Sequence, residues 1–280
     1  MLEPYISRLE AVKRTSGVQL KDELLAKLLG TMGQNYAFMA PFDETCFERA
    51  EKCFLKAKEE FLRPEDKHRQ DLYLFHLYFD GARQKAEFWN KVGQVLDGIK
   101  ERGFGEFLQR PSKGTAKFKQ FELHAYLKYL WSRGTQADWQ AVIERFTRSN
   151  LRAWFDKAEA EHPFELIYMY LGCLAYRLGQ RDTASTYFER ACQVPAVKDK
   201  NRFITLLPIW AQVRVRYALL LLPELPEAAQ QQIKMARSLL DQMKQQGQIV
   251  WFDDVLEDCL TRTEVSVWQA FLQKFTFNYY

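Results

Sequence analysis

The sequence predicts an all-α chain of antiparallel helix pairs, and three observations predict it. Apolar residues recur at three- and four-residue intervals almost throughout, short alternating β-branched runs are nearly absent, and Gly or Pro interrupts the pattern about once per helix length. The periodic stretches cover roughly 20–39, 44–62, 66–80, 83–100, 117–132, 136–148, 150–160, 164–178, 181–193, 203–222, 226–246 and 262–275. Pro41 with Asp43, Pro64, Gly81, Gly134, Gly179, and Pro223 with Pro226 fall between them, and connections that short make neighbouring helices antiparallel.

Composition supports a folded chain. Of the 280 residues 47% are hydrophobic and 15% aromatic, enough for a continuous core and too apolar for a disordered chain. That length exceeds one compact core unless the architecture is elongated, so either one solenoid or two fused helical halves fits. The composition shift at Gly103-Phe-Gly105 and Arg110–Lys117 divides the chain into N-terminal helical repeats over 1–102, a loop or hinge over 103–116, and C-terminal helical repeats over 117–280.

The best repeat unit lies at 164–195. Tyr168 is followed by Leu171-Gly172, Gly179 marks a turn, Ala184 and Phe188 keep an Ala-x3-Phe spacing, and Ala191 and Pro195 close the unit. Small residues at Gly172, Ala184 and Ala191 let two helices approach, while Tyr168, Leu171 and Phe188 fill the space between them. This segment resembles a tetratricopeptide repeat, with Ala175 where the pattern has Tyr. A second copy has Leu29, Met32-Gly33 and Tyr36 in a first helix, then Ala50, Phe54 and Ala57 in a second, with a loop about five residues longer than the pattern. A third runs from Trp210 and Tyr217 to Ala229, Ile233 and Ala236, and 66–100 and 117–148 look like degenerate repeats. The resemblance spans roughly 170–230 residues and implies a right-handed TPR-like α-solenoid of about 12–14 helices. A generic helical array and a non-repetitive bundle are the alternatives.

Motifs for chemistry are missing. There is no phosphate loop, HExxH, GxSxG or EF-hand pattern, and Gly103-Phe-Gly105 lacks the third glycine of a dinucleotide fingerprint. The histidines His68, His76, His124 and His162 never stand four apart, so no metal site, cofactor or catalytic residue is predicted; a pairing of Cys173 with His162 has no third group to orient it. An enzyme without a motif would need a closed pocket holding polar groups of perturbed titration. The five cysteines include no CxxC pair and read as thiols of a reducing compartment. Met1–Arg8 has no basic-then-apolar leader, and no apolar run nears the ~18 residues of a membrane span, so the expected location is cytoplasmic with no membrane partner.

The acids Glu48, Glu51, Glu59 and Glu60, and Asp253, Asp254, Glu257 and Asp258, read as solvated helix faces, and most of the seven tryptophans as packing residues. Tetratricopeptide arrays receive partners on the concave face of their first helices. The resemblance therefore implies a non-catalytic interaction, scaffold or adaptor subunit whose protein or peptide partner meets Lys27, Gln34, Met169, Cys173, Tyr176 and Arg177. These residues do not reproduce the Lys/Asn clamp of chaperone-binding members. The alternative is a nucleic-acid-binding helical repeat using Arg110, Lys113, Lys117 and Lys119 near Phe121, with Arg202, Arg214, Arg216, Lys234 and Arg237 as a second basic face. A balance of 40 basic against 36 acidic residues is far from the excess of a dedicated nucleic-acid binder.

Overall fold

The computed structural model of the chain describes residues 24–40, 43–82, 85–99, 116–147, 165–193 and 200–245, with Ser7 and Ala11. The described residues form ten α-helices and no strand: α1 (Leu24–Met39), α2 (Glu44–Glu60), α3 (Pro64–Gly81), α4 (Phe88–Ile99), α5 (Ala116–Arg133), α6 (Gln136–Thr147), α7 (Glu165–Arg177), α8 (Arg181–Cys192), α9 (Lys200–Leu221) and α10 (Pro226–Gln245). The helices expected over 150–160 and 262–275, and the segment 103–115, lie outside the described residues. α4 starts five residues later than its periodicity suggests. There Lys85 bonds back to the Gly81 carbonyl and Phe88 to that of Lys85, so a turn replaces the first helical turn.

The helices divide into two compact units, α1–α4 and α5–α10. In the first unit each helix packs on the next, and α1 also touches α3. In the second, α7 packs on α5, α6, α8 and α9, and α9 pairs with α10. Local chemistry sets the helix starts. Asp43 accepts from the Thr45 backbone N–H at 2.9 Å and the Thr45 hydroxyl at 2.7 Å, which holds its carboxyl below the ordinary range and caps α2. Thr135 and Asp138 bond reciprocally at the start of α6, a capping box that turns the chain sharply after α5. Pro64 and Pro226 open α3 and α10, where their missing N–H costs nothing. Gly179 adopts φ +74 after α7, and Gln180 bonds back to the Ala175 carbonyl, closing the helix through a conformation few other residues tolerate.

One packing arrangement occurs in both units. In the first, Phe54 of α2 is fully buried; it lies against the Cα of Gly33 on α1, and its ring centroid is 5.4 Å from that of Tyr73 on α3. In the second, Phe188 of α8 lies against Gly172 on α7 and stacks on Tyr217 of α9, with centroids 5.7 Å apart. A glycine on the first helix, a phenylalanine on the second and a tyrosine on the next thus lock three helices together. Flanking alanines at 50, 57, 184 and 191 are wholly buried, as small residues at a close helix crossing must be.

The five extra residues between Gly33 and Phe54 do not make a long loop. Set beside α7 and α8, α1 is one residue longer beyond its glycine, the connection is one residue longer, and α2 begins three residues further ahead of its phenylalanine. Helix extension keeps the crossing in place. The third copy forms a similar close pair, with Trp210, Ala229, Ile233 and Ala236 all buried between α9 and α10.

Gly172→Ala tests this crossing. A Cβ there would stand 2.9 Å from the Phe188 ring, closer than packed carbon atoms sit. The expected loss is about 1–3 kcal/mol in urea unfolding, the range for overpacking a tight interior. Because Phe188 is the obstacle, the loss should shrink in a Phe188→Leu background.

Candidate functional site

The ends of α5, α7 and α9 bring together the polar and aromatic groups of the second unit. Trp131 stands near the C-terminus of α5, Tyr176 and Arg177 close α7, and Arg216 lies in the last turns of α9. The Nε1–H of Trp139, at the start of α6, donates to the Leu130 carbonyl at 2.8 Å and fixes the ring over the end of α5. The Arg177 guanidinium carbon lies 5.1 Å from the ring centres of both Trp131 and Trp139, and its Nη1 donates to the Trp131 carbonyl. Arg177 therefore stacks on two indoles and supplies a donor to a carbonyl at a helix end, where cations are favoured.

Arg216 approaches the same indole. Its guanidinium carbon is 4.9 Å from the Trp131 ring centre, and it bonds the Cys173 sulfur. Tyr170 completes the wall, with its ring 6.0 Å from Trp131 and 5.5 Å from His124. Burial first, then repulsion from Arg216, depresses the Arg177 pKa from its ordinary value. Burial raises the Cys173 pKa although both arginines pull it down, so the thiol stays protonated and is a poor nucleophile.

Among the described residues, the six expected partner contacts divide. Lys27 and Gln34 stand in the first unit: Lys27 is exposed, whereas Gln34 is half-buried and bonds the Tyr73 hydroxyl. Tyr176 and Arg177 are exposed. Met169 is fully buried and Cys173 nearly so. Those two side chains are used in packing because α7, with neighbours on several sides, is enclosed over most of its length, and they offer no surface to a partner.

Of the basic residues near Phe121, Arg110 and Lys113 lie outside the described residues, and Lys117 and Lys119 fall in the first turn of α5, their side chains outside the description. Of the second basic face, the Arg202 side chain lies outside the description, Lys234 is exposed, and Arg237 is half-buried and paired with Asp241 at 3.1 Å. Arg214 and Arg216 point inward, and Arg214 is used in bonds to Gln232 at 2.7 Å and to the Cys192 carbonyl at 3.1 Å. Their surroundings signal this, since Val213, Val215, Tyr217 and Ala218 are all buried and a helix apolar all round has no solvent side. Glu51 is likewise no free surface acid: it accepts from Tyr78 at 2.8 Å and from Lys91 at 2.6 Å.

His124 is enclosed beside the site. Burial, and secondarily the charge of Lys128, push its imidazole down to about 3, so it stays neutral in the folded chain and takes up a proton on unfolding below about pH 6.5. The folded pKa is the depressed one. Stability is therefore intact above about 6.5 and falls as the pH drops toward about 3, at no more than about 1.4 kcal/mol per unit. Between pH 6.5 and 5 a loss of about 1.5–2 kcal/mol is expected in urea unfolding, and His124→Gln should flatten that dependence.

A cavity of about 170 Å³ opens beside α6, α7 and α8, lined by Phe146, Thr147, Tyr168, Thr183, Thr186, Tyr187 and Arg190. It is smaller than the ~300–1,000 Å³ of most small-molecule sites, and its lining has no carboxylate, thiol or imidazole for acid–base or nucleophilic work. Among the described residues, no group of three or more His, Cys, Asp or Glu is placed to hold a metal ion, and no helix is long and apolar enough to cross a membrane. No family model, curated protein or solved structure matches the chain.

Proposed function

We propose that the chain is a non-catalytic interaction protein, a TPR-like right-handed solenoid of antiparallel helix pairs that acts as a scaffold or adaptor and receives a protein or peptide partner on the face of α5, α7 and α9. The observation that supports this reading is the crossing of Gly172 with Phe188, which keeps the tetratricopeptide spacing, together with the like crossing of Gly33 with Phe54, which is five residues longer in sequence. A repeat of that kind stacks its first helices side by side, as α7 touches α5 and α9. Tyr176 and Arg177 then stand on the partner face, and both residue types concentrate binding energy at interfaces. Free thiols at Cys46, Cys53, Cys173 and Cys192 suit a reducing cytoplasm.

Affinity capture of the tagged chain from its native cells, with and without nuclease, tests this reading. A stoichiometric protein retained after nuclease supports it. Nucleic acid whose removal empties the eluate replaces it with the nucleic-acid reading.

A further inference from the structure

The cavity of about 170 Å³ in the second unit is separate from the partner face. It meets α7 at Tyr168, in the first turn of that helix, whereas Tyr176 and Arg177 close the other end. Four of its lining residues belong to α8, where Thr183, Thr186, Tyr187 and Arg190 stand at i, i+3, i+4 and i+7 and so form one stripe along the helix. Ala184, Phe188 and Ala191 form the neighbouring stripe, and their side chains are buried. The short threonines of the first stripe leave room that longer side chains would fill.

The walls are aromatic and the rim is polar. Phe146 and Tyr168 are buried, and the Tyr168 and Tyr187 rings lie 6.3 Å apart with planes 24° from parallel. The Arg190 guanidinium carbon is 4.8 Å from the Tyr168 ring centre, so its charge is held against the aromatic wall. Among the described lining residues Arg190 carries the only charge, and it is positive. Thr183, Tyr187 and Arg190 are half-buried and Thr186 is exposed, so solvent reaches these groups. The Thr183 hydroxyl makes no described hydrogen bond, whereas that of Thr186 donates to the Asp182 carbonyl at 2.9 Å.

We propose that this cavity binds a small aromatic carboxylate of one ring. A cavity of about 150 Å³ in a protein interior takes up benzene, so this one has room for a single ring and little more. The ring lies against Phe146, Tyr168 and Tyr187, where offset and edge contacts between aromatics are favourable. The carboxylate points to Arg190, whose N–H groups give charge-assisted bonds, and the Thr183 hydroxyl is a further donor in the same lining. A cation of the same shape meets the charge of Arg190 and no described carboxylate, and an aliphatic acid forgoes the aromatic contacts. The site goes beyond the interaction reading and stands without it.

The test follows the threonine methyl signals of the full chain, ¹³C-labelled at those methyls, by NMR at constant ionic strength. A ring seated in the cavity moves the Thr183 and Thr186 methyls through its ring current, and the two signals are assigned by their loss in Thr183→Ser and Thr186→Ser, which keep the hydroxyls. Benzoate, benzamide and benzamidine, which share one shape and are anionic, neutral and cationic in turn, are titrated, with acetate as an anion lacking the ring. The expected result is a saturable shift with benzoate, with Kd on the order of millimolar, a roughly tenfold weaker Kd with benzamide, weaker binding still with benzamidine, and no shift with acetate. Arg190→Gln should remove the advantage of benzoate over benzamide; should that variant not fold, the three isosteric probes on the unaltered chain decide the role of charge by themselves. Thr183→Leu or, should it not fold, Thr186→Leu fills the cavity and should abolish the shift at the remaining threonine. No saturable shift with benzoate, a Kd for benzamide or benzamidine as tight as that for benzoate, an equal shift with acetate, or benzoate binding that survives the filled cavity overturns the proposal.

Discussion

Phe188→Ala should lower the unfolding free energy of the second unit by about 3–5 kcal/mol, the usual cost of emptying a buried aromatic site. The magnitude follows from position. Phe188 is 1% exposed, fills the space left by Gly172 and stacks on Tyr217 with planes 13° apart, so three helices lose contact with one substitution. Tyr217 would also lose the aromatic support that holds its hydroxyl near Ser185 at 3.1 Å and Glu189 at 3.0 Å. Collapse into the cavity is limited, because Gly172 has no side chain to move into it. Urea denaturation followed by circular dichroism checks the value. A loss below about 1 kcal/mol would mean that the Phe188 site is not a close-packed junction. Phe54→Ala, with the same neighbours in the first unit, should behave alike.

Tyr176→Ala combined with Arg177→Glu should weaken partner retention roughly a hundredfold, about 3 kcal/mol, if the partner lies on the α5, α7 and α9 face. Tyr176 is 45% exposed and its side chain makes no described hydrogen bond or ring contact, so its loss should leave stability within about 0.5 kcal/mol. Arg177 also ties α7 to the end of α5, and Arg177→Gln, which keeps a donor for the Trp131 carbonyl, separates lost charge from lost packing. Binding that persists in the double variant while both variants remain folded would place the partner elsewhere.

Much of the fold was legible because helical periodicity and turn residues are local signals. The ten described helices each coincide with a predicted stretch, usually within three residues at either end, and the pairs Gly33 with Phe54 and Gly172 with Phe188 could be read from spacing. Less legible was how the extra residues before Phe54 are absorbed, since a helix can lengthen at either end without changing the apolar period. The site was legible only at its rim. Repeat register points to Tyr176 and Arg177, yet the same register places Met169 and Cys173 on the partner face although neighbouring helices enclose them. Arg216 was hidden for another reason. Charge along a sequence suggests a surface, and only the packing of α9 against α7 and α10 turns that arginine inward onto an indole more than eighty residues earlier in the chain.

Hydrogen–deuterium exchange of the chain with its captured protein partner, against the chain alone, is the most direct test of where that partner binds. The account predicts added protection at the C-terminal turns of α5, α7 and α9, around Trp131, Tyr176 and Arg216. Protection confined to α6, α8 and α10, or to 110–121 with nucleic acid bound, would contradict it.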